Sequence, residues 1–141
     1  MKQRNRASLN SKEAADGPRG YLILLVDDEP CMRTLLGEFL ERAGFRVVEA
    51  EDGEKAIEAA ARDRPRLILM NYMMPVMDGL TASRIIHEDH ELSHIPIIMV
   101  SACPEDEMRD VALQAGCVDY VQLPCSPLEI LDKVMTHILV G

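Results

Sequence analysis

The chain lacks the features that would place it in a membrane, in an oxidising compartment or on a polyanion. No apolar run approaches the ~20 residues that span a bilayer, so no membrane segment is expected. Met1–Gly20 has no apolar h-region, so a secretory signal is not expected, and the compartment indicated is the cytoplasm. There are only 4 cysteines, none of them in a Cys-x-x-Cys pair. That argues for reduced thiols and against a structural zinc site. No internal repeat or low-complexity block is present. Positive charge is in deficit: 15 Lys and Arg stand against 24 Asp and Glu, a net charge of −9. The deficit is uneven. Lys2, Arg4, Arg6, Lys12 and Arg19 face only Glu13 and Asp16, so Met1–Gly20 carries +3 and Tyr21–Gly141 carries −12. An acidic body repels phosphate backbones, so no direct nucleic-acid partner is expected.

What is present fits one ordinary domain. The 141 residues are 48% apolar and 28% charged, enough to bury a core without staples. Met1–Gly20 reads as a flexible polar leader, and residues 21–141 as the domain. From Tyr21 onward, short apolar runs alternate with helical spacing. Tyr21–Val26, Leu67–Met70 and Ile97–Val100 are apolar throughout and read as buried strands. Phe45–Glu49 and Val118–Gln122 are strands carrying Arg46, Glu49, Asp119 and Gln122, which suits sheet edges. Between them lie five helical stretches. Pro30 opens the first, whose inward face is Met32, Leu35, Leu36, Phe39, Leu40 and Ala43, and Gly44 closes it. Gly53–Arg62 has a small inner face of Ala56, Ile57, Ala59 and Ala60, and Leu80–Glu88 follows the Met73–Gly79 loop. Pro104 opens a helix with Met108, Val111, Ala112 and Ala115 inward, closed by Gly116. Ser126-Pro127-Leu128-Glu129 is a capping box for the last, which turns Leu131, Val134, Met135 and Ile138 inward.

Five βα units predict an α/β fold: a doubly wound, five-stranded parallel sheet with helices on both faces. Apolar central strands and polar edges fit the flavodoxin-like strand order 2-1-3-4-5. That order puts a crevice beyond the carboxyl ends of the first and third strands. Asp27 and Asp28 enter it directly after the first strand, Asn71 after the third, Ser101 after the fourth and Leu123 after the fifth.

Here the sequence resembles the receiver domain of bacterial two-component response regulators. The likeness is carried by Leu24-Leu25-Val26-Asp27-Asp28-Glu29, by Leu69-Met70-Asn71-Tyr72-Met73-Met74-Pro75-Val76-Met77-Asp78-Gly79, by Pro96-Ile97-Ile98-Met99-Val100-Ser101-Ala102 and by Ala115-Gly116-Cys117-Val118-Asp119-Tyr120. The resemblance implies an aspartate phosphoacceptor after the third strand. It implies Mg²⁺ held by the acidic pair, the acceptor and a backbone carbonyl, and a lysine before the proline after the fifth strand. It also implies a hydroxyl and an aromatic residue that relay the change to a face made by the fourth helix, fifth strand and fifth helix. On that pattern Asp27 and Asp28 match the metal-binding pair and Met73 offers the carbonyl. Ser101 and Tyr120 match the switch pair, and Leu123–Pro124 is the bond that is commonly cis.

Two positions depart. The acceptor position holds Asn71 and the lysine position holds Leu123. An amide nitrogen is no useful nucleophile, and an apolar side chain cannot neutralise a transferring phosphoryl group. The departures match electrostatically. Three carboxylates and a lysine sum to −2, as do Asp27 and Asp28 beside Leu123. The expectation is a pseudo-receiver: a non-enzymatic, phosphorylation-independent signalling module of a two-component or phosphorelay system, needing no cofactor and binding Mg²⁺ weakly or not at all. It would act on a protein partner through the face of the fourth helix, fifth strand and fifth helix, and a homodimer is a further expectation. The alternatives are a phosphoacceptor whose aspartate was replaced, and a thiol or metal sensor using the crevice cysteines Cys31, Cys103 and Cys125. His87, His90 and His94 fall three and four apart, but Pro96 and the charged stretch before it suggest solvated side chains rather than a metal face.

Overall fold

Successive buried side chains of each central strand point to opposite faces and build two cores, one on either face of a single sheet. In the computed structural model, which describes residues 20–140, the strands are β1 (Leu22–Val26), β2 (Arg46–Ala50), β3 (Leu67–Asn71), β4 (Ile97–Ser101) and β5 (Asp119–Gln122). The helices are α1 (Pro30–Arg42), α2 (Gly53–Asp63), α3 (Gly79–Glu88), α4 (Glu105–Gln114) and α5 (Pro127–Val140). The polar leader, apart from Gly20, lies outside the described residues. All strand pairs are parallel, in the order β2-β1-β3-β4-β5.

Leu24, Val26, Ile68, Met70, Ile97 and Met99 point to one face, where the small residues Ala56, Ala59, Ala60, Ala82 and Ala112 let α2, α3 and α4 approach closely. Ile23, Leu25, Leu67, Leu69, Ile98 and Val100 point to the other, against Leu36 and Leu40 of α1 and Ile130, Val134 and Ile138 of α5. This two-sided burial explains the unbroken apolar runs of the three middle strands.

Local chemistry sets the element ends. Asp52 accepts from the Lys55 amide at 2.9 Å and Asp78 from the Thr81 amide at 2.7 Å, so both cap helices in the usual way. Ser126 accepts from the Glu129 amide at 3.3 Å, one half of the capping box expected there. Gly44 takes φ 105° just past α1 and Gly116 takes φ 103° just past α4, where a side chain would be strained.

Two expectations need correction. Leu35 and Val111, placed inward by helical spacing, are 66% and 38% exposed, because the sheet covers a narrower stripe of α1 and α4 than their apolar residues occupy. Asp119, whose charge marked β5 as the edge strand that it is, is nonetheless only 6% exposed, because Arg109, Lys133 and His137 close over it. Val118 precedes β5 rather than opening it, while β3 and β4 each run one residue further, to Asn71 and Ser101.

Candidate functional site

The carboxyl ends of β1 and β3 are adjacent, with Val26 opposite Met70. The chain leaving each strand therefore drops its next polar side chains into one crevice. Asp27 is half-buried and Asp28 and Glu29 are exposed. Asp27 Oδ1 accepts from the Glu29 amide at 2.9 Å. Burial raises the Asp27 pKa, and the charges of Asp28 and Glu29 add to the rise, while the Glu29 amide and Arg33 oppose it. The acidic pair is thus short of nearby positive charge.

Arg33, which the sequence reading passed over, supplies what positive charge there is. One turn into α1, its guanidinium donates from Nη1 to the Asp27 carbonyl at 2.6 Å and from Nε to Glu49 Oε1 at 3.0 Å. It fastens α1 to the end of β1 and to β2. Basic character after the acidic pair was the only available signal, and sequence separation from Glu49 hid the pairing.

Asn71 decides the electrostatics of the crevice. Its Nδ2 donates to the Met73 carbonyl at 3.1 Å and reaches Asp28 Oδ1 at 3.4 Å. Both partners are acceptors only, which fixes the amide orientation. The amide hydrogens therefore point at two of the oxygens that the receiver pattern offers to a divalent ion. A divalent ion held here would have two carboxylates and a backbone carbonyl, with water completing its shell, and would lack the third anionic oxygen of the receiver pattern. With its nitrogen end turned toward Asp28 and the Met73 carbonyl, Asn71 offers amide hydrogens where the receiver pattern offers an oxygen. Among the described residues, no group of three or more His, Cys, Asp or Glu is arranged to hold a metal.

The loop carrying Met73 is held at both ends. The Gly79 amide donates to the Tyr72 carbonyl at 2.8 Å, and a Cβ at Gly79 would run into the Asn71 carbonyl, so glycine is required. At the tip, Met77 N donates to the Pro75 carbonyl at 2.7 Å around Val76, whose φ is 71°. That is the strained, left-handed γ-turn.

On the far side of the crevice, Leu123 is half-buried and joins the α1/α5 core cluster with Cys125. Its amide donates to the Ser101 carbonyl at 2.8 Å, and the Leu123–Pro124 bond is cis. Ser101 Oγ accepts from the Cys103 amide at 3.1 Å. Tyr120 is 1% exposed and its hydroxyl donates to the Cys103 carbonyl at 2.6 Å. Burial pushes its phenol pKa up. Ser101 and Tyr120 thus converge on one short segment, residues 101–103.

The remaining candidates scatter. Cys31 is exposed, Cys103 and Cys125 are half-buried and Cys117 is buried, all as free thiols. Burial holds Cys117 up to about 11 and also raises Cys125, so both stay protonated at neutral pH. His87, His90 and His94 are exposed, and the His87 ring lies against Gly116.

Comparison with known proteins agrees with the fold. The response regulator receiver domain family matches residues 23–135. The chain is 37% identical over 112 residues to the alkaline phosphatase synthesis transcriptional regulatory protein PhoP of Bacillus subtilis (strain 168), covering 79% of this chain and 46% of that protein. The chain spans about half the length of the curated relatives it matches. Among solved structures, the receiver domain of sensor histidine kinase PA1611 from Pseudomonas aeruginosa PAO1, with magnesium ion coordinated in its active site cleft, superposes with TM-score 0.77 at 34% identity, covering 86% of this chain and 99% of that one. The BeF3-activated N-terminal receiver domain of Klebsiella pneumoniae RstA gives TM-score 0.76 at 28% identity, covering 83% and 97%. No helix among the described residues is long and apolar enough to cross a membrane.

Proposed function

The chain belongs to the response regulator receiver domain family, and from that premise we propose that it is a receiver that signals without taking up a phosphoryl group. The observation that carries this reading is the Asn71 amide, donating to the Met73 carbonyl at 3.1 Å and facing Asp28 at 3.4 Å. Acyl-phosphate formation needs a carboxylate nucleophile and a countercharge on the transferring group. Asn71 removes the first. Its N–H groups also satisfy, from inside the chain, acceptors that would otherwise call for a cation. Leu123 removes the second, the countercharge, and its side chain packs with the α1/α5 core rather than lining a polar site.

Leu123 also bears on the alternative of a lone acceptor replacement. Replacing one aspartate for study would leave a lysine beside Pro124. Two matched departures, one polar and one apolar, support a crevice settled in its present form. The module then needs no Mg²⁺, performs no reaction of its own, and acts by binding. Its partner is a protein that docks on the face of α4, β5 and α5. Tyr120 supports a constitutively presented face, since its ring is buried and its hydroxyl donates to the Cys103 carbonyl at 2.6 Å.

Incubation with acetyl phosphate and Mg²⁺, followed by intact-protein mass spectrometry, tests the reading. The expected outcome is an unchanged mass. A substantial, hydroxylamine-labile gain of one phosphoryl group would overturn it.

A further inference from the structure

The face of α4, β5 and α5 carries basic side chains, yet the fold turns them inward. Asp119, at the foot of β5, is buried. Its Oδ1 accepts from the Tyr120 amide at 2.8 Å, from Arg109 Nη1 of α4 at 3.0 Å and from Lys133 Nζ of α5 at 3.3 Å. Oδ2 lies 3.2 Å from Lys133 Nζ and 2.9 Å from His137 Nε2. Burial works to raise the Asp119 pKa, but hydrogen bonds from His137, the Tyr120 amide, Lys133 and Arg109 outweigh it and hold the group at about 2. Asp119 is thus an anion throughout the neutral range and keeps Arg109 and Lys133 drawn over it. Arg109 also meets Glu105 Oε2 at 3.2 Å. The two permanent cations of the face are therefore matched by Glu105 and Asp119.

What remains outward is acidic and apolar. Asp106, Asp110 and Leu113 recur at i, i+4 and i+7 on α4, so they share one exposed stripe. Asp106 and Asp110 border, with Glu105 and Arg109, an open groove of about 390 Å³. On α5, Glu129 stands one turn before Lys133, with Asp132 beside it. Asp106, Asp110, Glu129 and Asp132 are all exposed, and none enters an ion pair among the described residues.

We infer that this face takes a cationic amphipathic segment of its protein partner, whose lysines or arginines meet Asp106, Asp110, Glu129 and Asp132 and whose apolar side chains cover Leu113. Such docking rests on the reading that the face is presented without phosphorylation, and adds the chemistry of what it receives. Outward carboxylates repel an acidic partner and steer a basic one. Because Arg109 and Lys133 are held by Asp119, a basic segment meets no free cation at the centre of the face. Leu113 gives the contact an apolar part that charge alone lacks. A second copy fits less well. A twofold contact through this face would bring the same unpaired carboxylates of both copies into one interface.

NMR titration of the full chain with a synthetic amphipathic peptide of lysine and leucine tests this, against the same peptide with glutamate in place of lysine. The lysine peptide should move the signals of Asp106, Asp110, Leu113, Glu129 and Asp132, and the glutamate peptide should leave them still. The net charge of −9 attracts any cation, so variants decide whether the face is selective. Asp106→Lys with Asp110→Lys, both at exposed helix positions, should lower the affinity for the lysine peptide about tenfold or more. Glu54→Lys with Glu58→Lys, an equal charge change on α2, should lower it less than about twofold. Equal losses from the two pairs, shifts centred elsewhere, or binding of the glutamate peptide at this face overturn the inference. Face signals that move on dilution, or on Arg4→Ser with Arg6→Ser, before peptide is added assign the face to a second copy or to the chain's own basic leader, and overturn it as well. Phosphoryl uptake from acetyl phosphate would strike the reading beneath and leave the peptide comparison standing. An unchanged mass without selective peptide binding strikes the docking alone.

Discussion

As Leu123 stands where the receiver pattern has a lysine, Asn71 Nδ2 stands where it has a carboxylate oxygen. An aspartate there would turn an oxygen toward Asp28 and the Met73 carbonyl, and three carboxylates would then repel one another until a cation joined them. Asn71→Asp should accordingly gain Mg²⁺ affinity of about tenfold or more over the wild type, whose binding should be weak or undetectable in the millimolar range. Isothermal titration of both proteins checks this, and tight, saturable binding by the wild type would count against the account. At this scale the sequence was informative wherever residue identity alone carried the chemistry. Asp27, Asp28, Asn71, Ser101 and Leu123 could each be placed at the mouth of a strand by reading along the chain. Arg33 and the Asp119 cluster could not. Their meaning lies in partners brought close by the fold, Glu49 for one and Arg109, Lys133 and His137 for the other.

Elements were legible to the extent that burial follows periodicity. The three unbroken apolar runs became the three central strands, and Gly44 and Gly116 closed helices where the pattern stopped. Leu35 and Val111 mark the limit. Spacing identifies an apolar stripe but not how much of it the neighbouring layer covers. The β3–α3 loop shows a second limit, since nothing in Pro75-Val76-Met77 announces a left-handed turn at a β-branched residue. Val76 is 74% exposed, so its side chain contributes little packing to offset the strain of φ 71°. Asparagine tolerates that region far better. Val76→Asn should stabilise the protein by about 1 kcal/mol, read as a higher thermal midpoint. A lower midpoint would mean that the loop tip is held by contacts rather than strained against them.

For the whole molecule, apolarity on both faces separates the central strands from the edges, the order β2-β1-β3-β4-β5 satisfies that division, and the crevice follows from the strand order. What no linear reading supplies is the state of the switch. Tyr120 is packed into the core with its hydroxyl on the Cys103 carbonyl, and Leu123 closes the α1/α5 side of the crevice. A ligand shifts such an equilibrium only through differential affinity for its two states, and this crevice offers a phosphoryl group neither an acceptor carboxylate nor a lysine. The central claim is that the face of α4, β5 and α5 is presented without phosphorylation. It is tested most directly by an NMR titration of the unmodified protein with beryllofluoride and Mg²⁺. The account predicts no saturable change, or shifts confined to the residues around Asp27 and Asp28. Saturable shifts running from Asn71 through Ser101 to Tyr120 would reveal a working switch and contradict it.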